Sequence, residues 1–200
     1  MRLYHGSFYS SIKELLPISK CNDNPNIKVV YLTESLPYSL FYIWDSKKNK
    51  RKSKWVTCWV QDNKVHYEEQ FPNQVRKFYN KVTGYIYFVD IDEENLTKAT
   101  EPKMWHTENK VTPLKQIKIK NVYKEILKYE KNGEIIVHRY NKLSKVDKIQ
   151  LDQKMCQYIQ MKNLLNEKSE ISDFIRSHHK SAGKWHLNKN KLQHNRLLLH

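Results

Sequence analysis

Residues 27–44 read Ile-Lys-Val-Val-Tyr-Leu-Thr-Glu-Ser-Leu-Pro-Tyr-Ser-Leu-Phe-Tyr-Ile-Trp. The β-branched and aromatic run from Ile27 to Leu32 predicts a strand. Ser35-Leu36-Pro37 then opens a helix through Tyr38, Phe41 and Tyr42 to about Trp44, with Pro37 in the first turn, where its missing N–H is harmless. A strand, a short turn and a helix follow one another directly, and they put Tyr31 and Tyr42 on adjoining elements.

On the N-terminal side, residues 2–5 predict a short strand. The polar stretch Gly6 to Ser11 follows, then a helical fragment ending before Pro17, because proline disfavours helix for its predecessor. On the C-terminal side, Asp45 to Lys54 holds six basic residues and one acid and reads as an exposed loop. Trp55 to Val60 and Val65 to Phe71 flank Gln61-Asp62-Asn63-Lys64, which predicts a hairpin. Asn73 to Val82 reads as a short helix, and Tyr85 to Ile91 as a strand buried on both faces, hence central. Between Asp92 and Lys110 the pattern is weak. Leu114 to Lys120 alternates, with Ile117 and Ile119 on one face; Asn121 caps a helix, and Gly133 stands where a left-handed C-cap is expected before a strand over 134–140.

From Leu143 to about Ile175 apolar residues recur at helical spacing, with a break near Asn166 to Ser169. Residues 176–200 hold six Lys/Arg, no acid and five of the nine histidines. The organisation expected is therefore a domain over 1–140, a helical extension over 141–176 and a basic, His-rich tail over 177–200. The fold class is α+β.

The formal net charge is +15, with 15 of the 36 basic residues in the first hundred positions and 21 in the second, so the excess sits toward the C-terminus. A charge of this size attracts polyanions, and the Lys47, Lys48, Lys50, Arg51, Lys52 and Lys54 run is where a nucleic-acid backbone would be contacted. Lys, Asn, Ile and Tyr are all abundant, so composition alone also accounts for the charge. No run of eighteen apolar residues and no apolar leader occur, so no membrane span or signal is expected. Cys21, Cys58 and Cys156 are odd in number, far apart and without CxxC spacing, which fits a reducing cytoplasm rather than a disulfide framework or a cysteine zinc site. No metal is expected, the tail histidines having neither cysteines nor carboxylates beside them. Four glycines and the lack of both GxGxxG and GxxxxGK[ST] count against a Rossmann or phosphate-loop use of nucleotide.

Three segments stand out together: Tyr4-His5-Gly6-Ser7 at the end of a strand; Tyr31 on a strand with Ser39 eight and Tyr42 eleven positions later; and Thr107-Glu108 just before a strand. In that order and spacing the chain resembles the ADP-ribosyltransferase fold, in the His-Tyr-Glu branch shared by diphtheria-type toxins and poly(ADP-ribose) polymerases. It is similar, too, to small bacterial proteins that open with YHGS and carry an FPN segment (Phe71-Pro72-Asn73) and a GYIY segment (Gly84 to Tyr87). The resemblance covers about residues 1–140. It implies split mixed and antiparallel sheets with flanking helices, NAD as co-substrate, a toxin-like or defence role, and transfer of ADP-ribose to nucleic acid or protein.

The same resemblance implies roles for individual residues. His5 would hydrogen-bond the adenosine-side ribose, Gly6 would let backbone groups approach the nicotinamide amide, and Ser7 would line the same pocket. Tyr31 and Tyr42 would sandwich the nicotinamide ring, with Ser39 on the Tyr42 face of the helix. Glu108 would stabilise positive charge developing on the ribose and orient the acceptor. Glu68 and Glu69 are rival carboxylates. The ExE spacing of arginine-directed transferases is absent. Two other readings stay open: an RNA 2′-phosphotransferase, which the small number of arginines, six, does not favour, and a domain of the same fold without catalysis that binds nucleic acid or a protein.

Overall fold

The computed structural model describes residues 1–45, 55–162 and 170–179. The Lys47 to Lys54 run, the break expected near residues 166–169 and the tail beyond residue 179 lie outside the described residues. The chain is α+β and divides into two compact units. The first comprises residues 1–48, 58–67 and 75–137; the second comprises 49–57, 68–74 and 138–200. One change of unit falls at Val137 to His138. The second unit, however, also takes in two segments from the first half of the chain.

In chain order the first unit carries β1 (Arg2–Ser7), β2 (Ser19–Lys20), β3 (Lys28–Thr33), α1 (Leu36–Ser39), β4 (Thr57–Gln61), β5 (Lys64–Glu68), α2 (Gln74–Tyr79), β6 (Gly84–Asp90), β7 (Thr97–Lys98), β8 (Met104–Thr107), β9 (Lys115–Ile119), α3 (Val122–Lys131) and β10 (Ile135–His138). The end residues Thr57, Glu68, Gln74 and His138 belong to the second unit. A seven-stranded antiparallel sheet runs β7-β8-β3-β1-β6-β9 with β2 added to β3, and a three-stranded sheet runs β10-β5-β4.

Local chemistry explains most of these elements. Ser35 caps α1 by accepting the Tyr38 N–H, Pro37 sits in its first turn, and the helix tightens into a 3-10 turn over Leu40–Tyr42 rather than continuing as α-helix to Trp44. Asp62 and Asn63 both take positive φ (49° and 58°), the two-residue turn that matches the twist of the β4–β5 hairpin. Asn121 caps α3 through the Lys124 N–H, and Gly133 takes φ 77° just past its end.

Three expectations are corrected. No helix forms before Pro17: among residues 8–18 the backbone is irregular, tied by a bridge between Leu15 and Val111. The weak region 92–110 contains β7 and β8, and β8 pairs along its whole length with β3. The centre of the large sheet is shared by β3 and β1, with β6 one place further out. One sheet face buries Leu3, Val30, Leu32, Val89 and Trp105 with Leu15 and Val111. Each such aliphatic side chain contributes about 1.5–3 kcal/mol relative to exposure. An aromatic group, Phe41, Tyr67 and Tyr79, fills a second part of the core, with the Tyr79 hydroxyl donating to the Phe41 carbonyl at 3.1 Å.

In the second unit, α4 (Lys145–Lys162) and α5 (Glu170–His178) follow the expected helical region. Met155, Ile159 and Ile175 are buried together, with Trp55 and Tyr158 against them. Ser177, His178 and His179, placed in the tail by sequence, are part of this unit: His178 ends α5 and stacks on Phe71 with centroids 4.0 Å apart, and His179 is 1% exposed. No described helix is long and apolar enough to cross a membrane.

Candidate functional site

Sheet register decides which of the chemistry-bearing residues meet. Tyr4 pairs with Thr33, and Tyr31 with His106, so Gly6, Tyr31 and His106 form one row across β1, β3 and β8. His5 lies beside that row. Its Nδ1 is 2.9 Å from the Tyr31 carbonyl oxygen, and because a carbonyl only accepts, the proton is on Nδ1 and Nε2 is the acceptor. Burial pushes the His5 pKa down, opposed by the bond to the Tyr31 carbonyl, so the ring is neutral near pH 7. A neutral imidazole presenting Nε2 can accept a sugar hydroxyl.

The α1 segment lies over this row. Gly6 has a packing duty: the space a Cβ would take is filled by the Ser39 carbonyl oxygen. The expectation that Gly6 lets a ligand approach is thus corrected to an approach by the chain's own helix. Ser39 is fully buried and its hydroxyl donates to the Leu36 carbonyl at 2.6 Å, so it does not share an open face with Tyr42. Ser7, at the end of β1, accepts the Tyr9 N–H on its hydroxyl.

Tyr31 accepts the Asn22 N–H on its hydroxyl at 2.7 Å and meets His106 edge-on, with centroids 6.0 Å apart. Tyr42 is 37% exposed; its ring meets Tyr38 edge-on, and its hydroxyl points at the Met104 sulfur, 3.9 Å away. Met104 and His106 stand two residues apart on β8, on one face of the sheet. Tyr31 and Tyr42 are therefore brought to the same face.

Burial raises the pKa of both Tyr31 and Tyr42, and the Glu101 carboxylate is among the charges adding to each shift. Glu101 also accepts from the Asn22 side-chain amide at 3.1 Å. This carboxylate was missed by the sequence reading, as was His106. Both fall in the segment whose pattern is weak; Glu101 has no motif around it, and His106 directly precedes the Thr107-Glu108 pair on which the reading settled.

Glu108 is exposed and directly follows β8, with Thr107 ending that strand, while the sequence placed the pair just before a strand; the next strand, β9, begins at Lys115. The row position beside Tyr31 belongs to His106, two residues earlier. Glu68 and Glu69 are in the second unit. Glu69, one of the two rival carboxylates, is 1% exposed, accepts the Tyr140 N–H at 3.2 Å and faces the Arg139 guanidinium at 3.8 Å. Glu68 is 4.0 Å from the Lys154 ammonium.

Compared with known protein families, curated proteins and solved structures, the chain matches none of them.

Proposed function

We propose that this protein is an NAD-dependent ADP-ribosyltransferase that moves ADP-ribose to a macromolecular acceptor, nucleic acid or protein, and releases nicotinamide. The observation that carries the reading is the meeting of β1, β3, β8 and one short helix: the His5 ring bonds the Tyr31 carbonyl, Gly6 packs under Ser39, and Tyr31 and Tyr42 reach His106 and Met104 on β8. Two features support it further. The acceptor nitrogen of His5 is suited to a ribose hydroxyl. Tyr31 and Tyr42 both approach β8, at His106 and Met104, two residues apart on one face, so the two phenols are at hand for stacking on one planar ring.

In the reaction the bond between ribose C1′ and the nicotinamide nitrogen breaks, nicotinamide leaves with the electron pair, and an acceptor oxygen or nitrogen bonds to C1′. The acceptor's proton passes to a carboxylate and then to solvent. Positive charge on the ribose peaks in the transition state, so a fixed carboxylate there speeds the step. Two are available. Glu108 is selected by the resemblance, while Glu101 is the one whose charge reaches both Tyr31 and Tyr42.

The test is turnover and binding of labelled NAD by wild type, Glu101→Gln and Glu108→Gln, with mixed nucleic acid and cell protein as acceptors. Label on a macromolecule, reduced about 10²–10³-fold in one variant with NAD binding retained, is the expected result. Parent rates in both variants overturn the carboxylate assignment. No NAD binding in wild type overturns the reading in favour of a non-catalytic binding domain, and NAD-dependent loss of a 2′-phosphate from RNA favours the phosphotransferase.

A further inference from the structure

Cys21, Asp23 and His106 each offer one ligand atom, a sulfur, a carboxylate oxygen and an imidazole nitrogen, and these lie within 4.8 Å of one another. Cys21 follows β2 directly, Asp23 is two residues further along the loop to β3, and His106 comes from β8, 85 residues away from Cys21 in sequence. Cys21 is 2% and His106 6% exposed, while Asp23 opens to solvent.

The imidazole is poorly satisfied as it stands. Its Nε2 faces the Cys21 sulfur at 3.9 Å, and its buried Nδ1 has no hydrogen-bond partner. A thiol is a weak donor and a weak acceptor, so a buried ring held by this contact alone is short of its usual partners. A cation on Nε2 replaces that weak contact with a ligand bond and fixes the ring proton on Nδ1. The carboxylate is already oriented: Asp23 Oδ1 accepts the Thr100 hydroxyl at 2.6 Å, the kind of outer-shell bond that positions metal ligands.

We propose that Cys21, Asp23 and His106 bind a divalent transition-metal ion, zinc above all, with the fourth tetrahedral position left to water or an incoming ligand. A thiolate, an imidazole and a carboxylate together suit zinc and disfavour calcium and magnesium, which take oxygen ligands. Around tetrahedral zinc, ligand sulfur and nitrogen stand about 3.6 Å apart, close to the separation found here. The ion joins the Cys21–Asp23 loop to β8, and through the Asn22 N–H that loop holds the Tyr31 hydroxyl. The proposal does not rest on the NAD reading.

Full-length protein stripped with a chelator and titrated with Co(II), then competed with Zn(II), tests it. One equivalent of Co(II) should give a thiolate-to-cobalt charge-transfer band, which imidazoles of the His-rich C-terminus cannot produce. Cys21→Ser should abolish the band. Asp23→Asn, at an exposed position that leaves folding intact, should weaken zinc affinity about 10-fold or more, and Thr100→Val about 10-fold. Absence of the band in wild type, its survival in Cys21→Ser, or unchanged zinc affinity in Asp23→Asn would each overturn the site. NAD turnover is read separately, so failure of either proposal leaves the other standing.

Discussion

The Ser39 carbonyl oxygen fills the position where a Cβ on Gly6 would stand, and that Cβ would also come 3.0 Å from the Ser39 carbonyl carbon and 3.3 Å from Ile43 Cγ1. The backbones of β1 and α1 are in direct contact there, which only glycine permits. The obstructing atom is main chain, held in a capped helix, so it cannot swing aside as a side chain would. Gly6→Ala is expected to lower stability by about 1–3 kcal/mol, read as a fall in the denaturant midpoint with unchanged slope. An unchanged midpoint would mean that α1 shifts freely over the sheet.

His5 gives a pH dependence of definite sign. Burial holds its folded pKa below the ordinary 6.5, so the unfolded chain binds the proton more readily. Stability is therefore full above pH 6.5 and is lost progressively as pH falls from there toward the depressed folded value. His5→Asn, which cannot titrate, should flatten that part of the stability profile. Denaturation midpoints measured from pH 7.5 down to 5 for both proteins check it; parallel profiles would remove His5 as the cause.

Glu101 is expected to act on two phenols at once. Its negative charge disfavours both tyrosinates, in addition to the larger effect of burial, so Glu101→Gln should lower the Tyr31 and Tyr42 pKa values together. Ultraviolet titration of the tyrosines over the alkaline range in which the fold is kept, with Tyr31→Phe assigning the Tyr31 step, measures the change at that residue. A titration that Glu101→Gln leaves in place would separate this carboxylate from the candidate site.

The two histidines that close α5 should differ in their contribution. His179 is buried and its Nδ1 lies 2.8 Å from Asp152 Oδ1, so His179→Ala leaves a void and a carboxylate without this partner, costing about 2 kcal/mol. His178 stacks on Phe71, a contact worth about 0.5–1.5 kcal/mol, and His178→Ala should cost no more than that. Thermal denaturation of the two variants ranks them; equal, negligible effects would put both residues back in the tail.

The candidate site was half legible. His5, Gly6, Tyr31, Ser39 and Tyr42 stand out because they sit on short elements whose own residues announce them: a β-branched strand, a serine cap and a proline in the first turn. Their final duties were not legible. Ser39 and Gly6 are consumed by packing one element on another, which depends on how closely two backbones approach. Glu69 stands in the sequence as a rival carboxylate beside Glu68, yet it is buried against residues that follow it by about seventy positions.

The sequence by itself determined the elements whose chemistry is local. These are the β-branched and aromatic runs of β3 and β6, the alternation of β9, the Asp62-Asn63 turn, the caps at Ser35 and Asn121, and the glycine after α3. Each is set by residues within a few positions of one another, so dihedral preference and a single hydrogen bond suffice. Tertiary structure decided what depends on register. β8 is short and built of Met, Trp, His and Thr, without a readable period, and it becomes a strand by pairing with β3 some seventy residues earlier. That pairing brings His106 to Tyr31 and to the Cys21 thiol. Backbone hydrogen bonds between distant strands fix which side chains become neighbours, and no local preference encodes that choice.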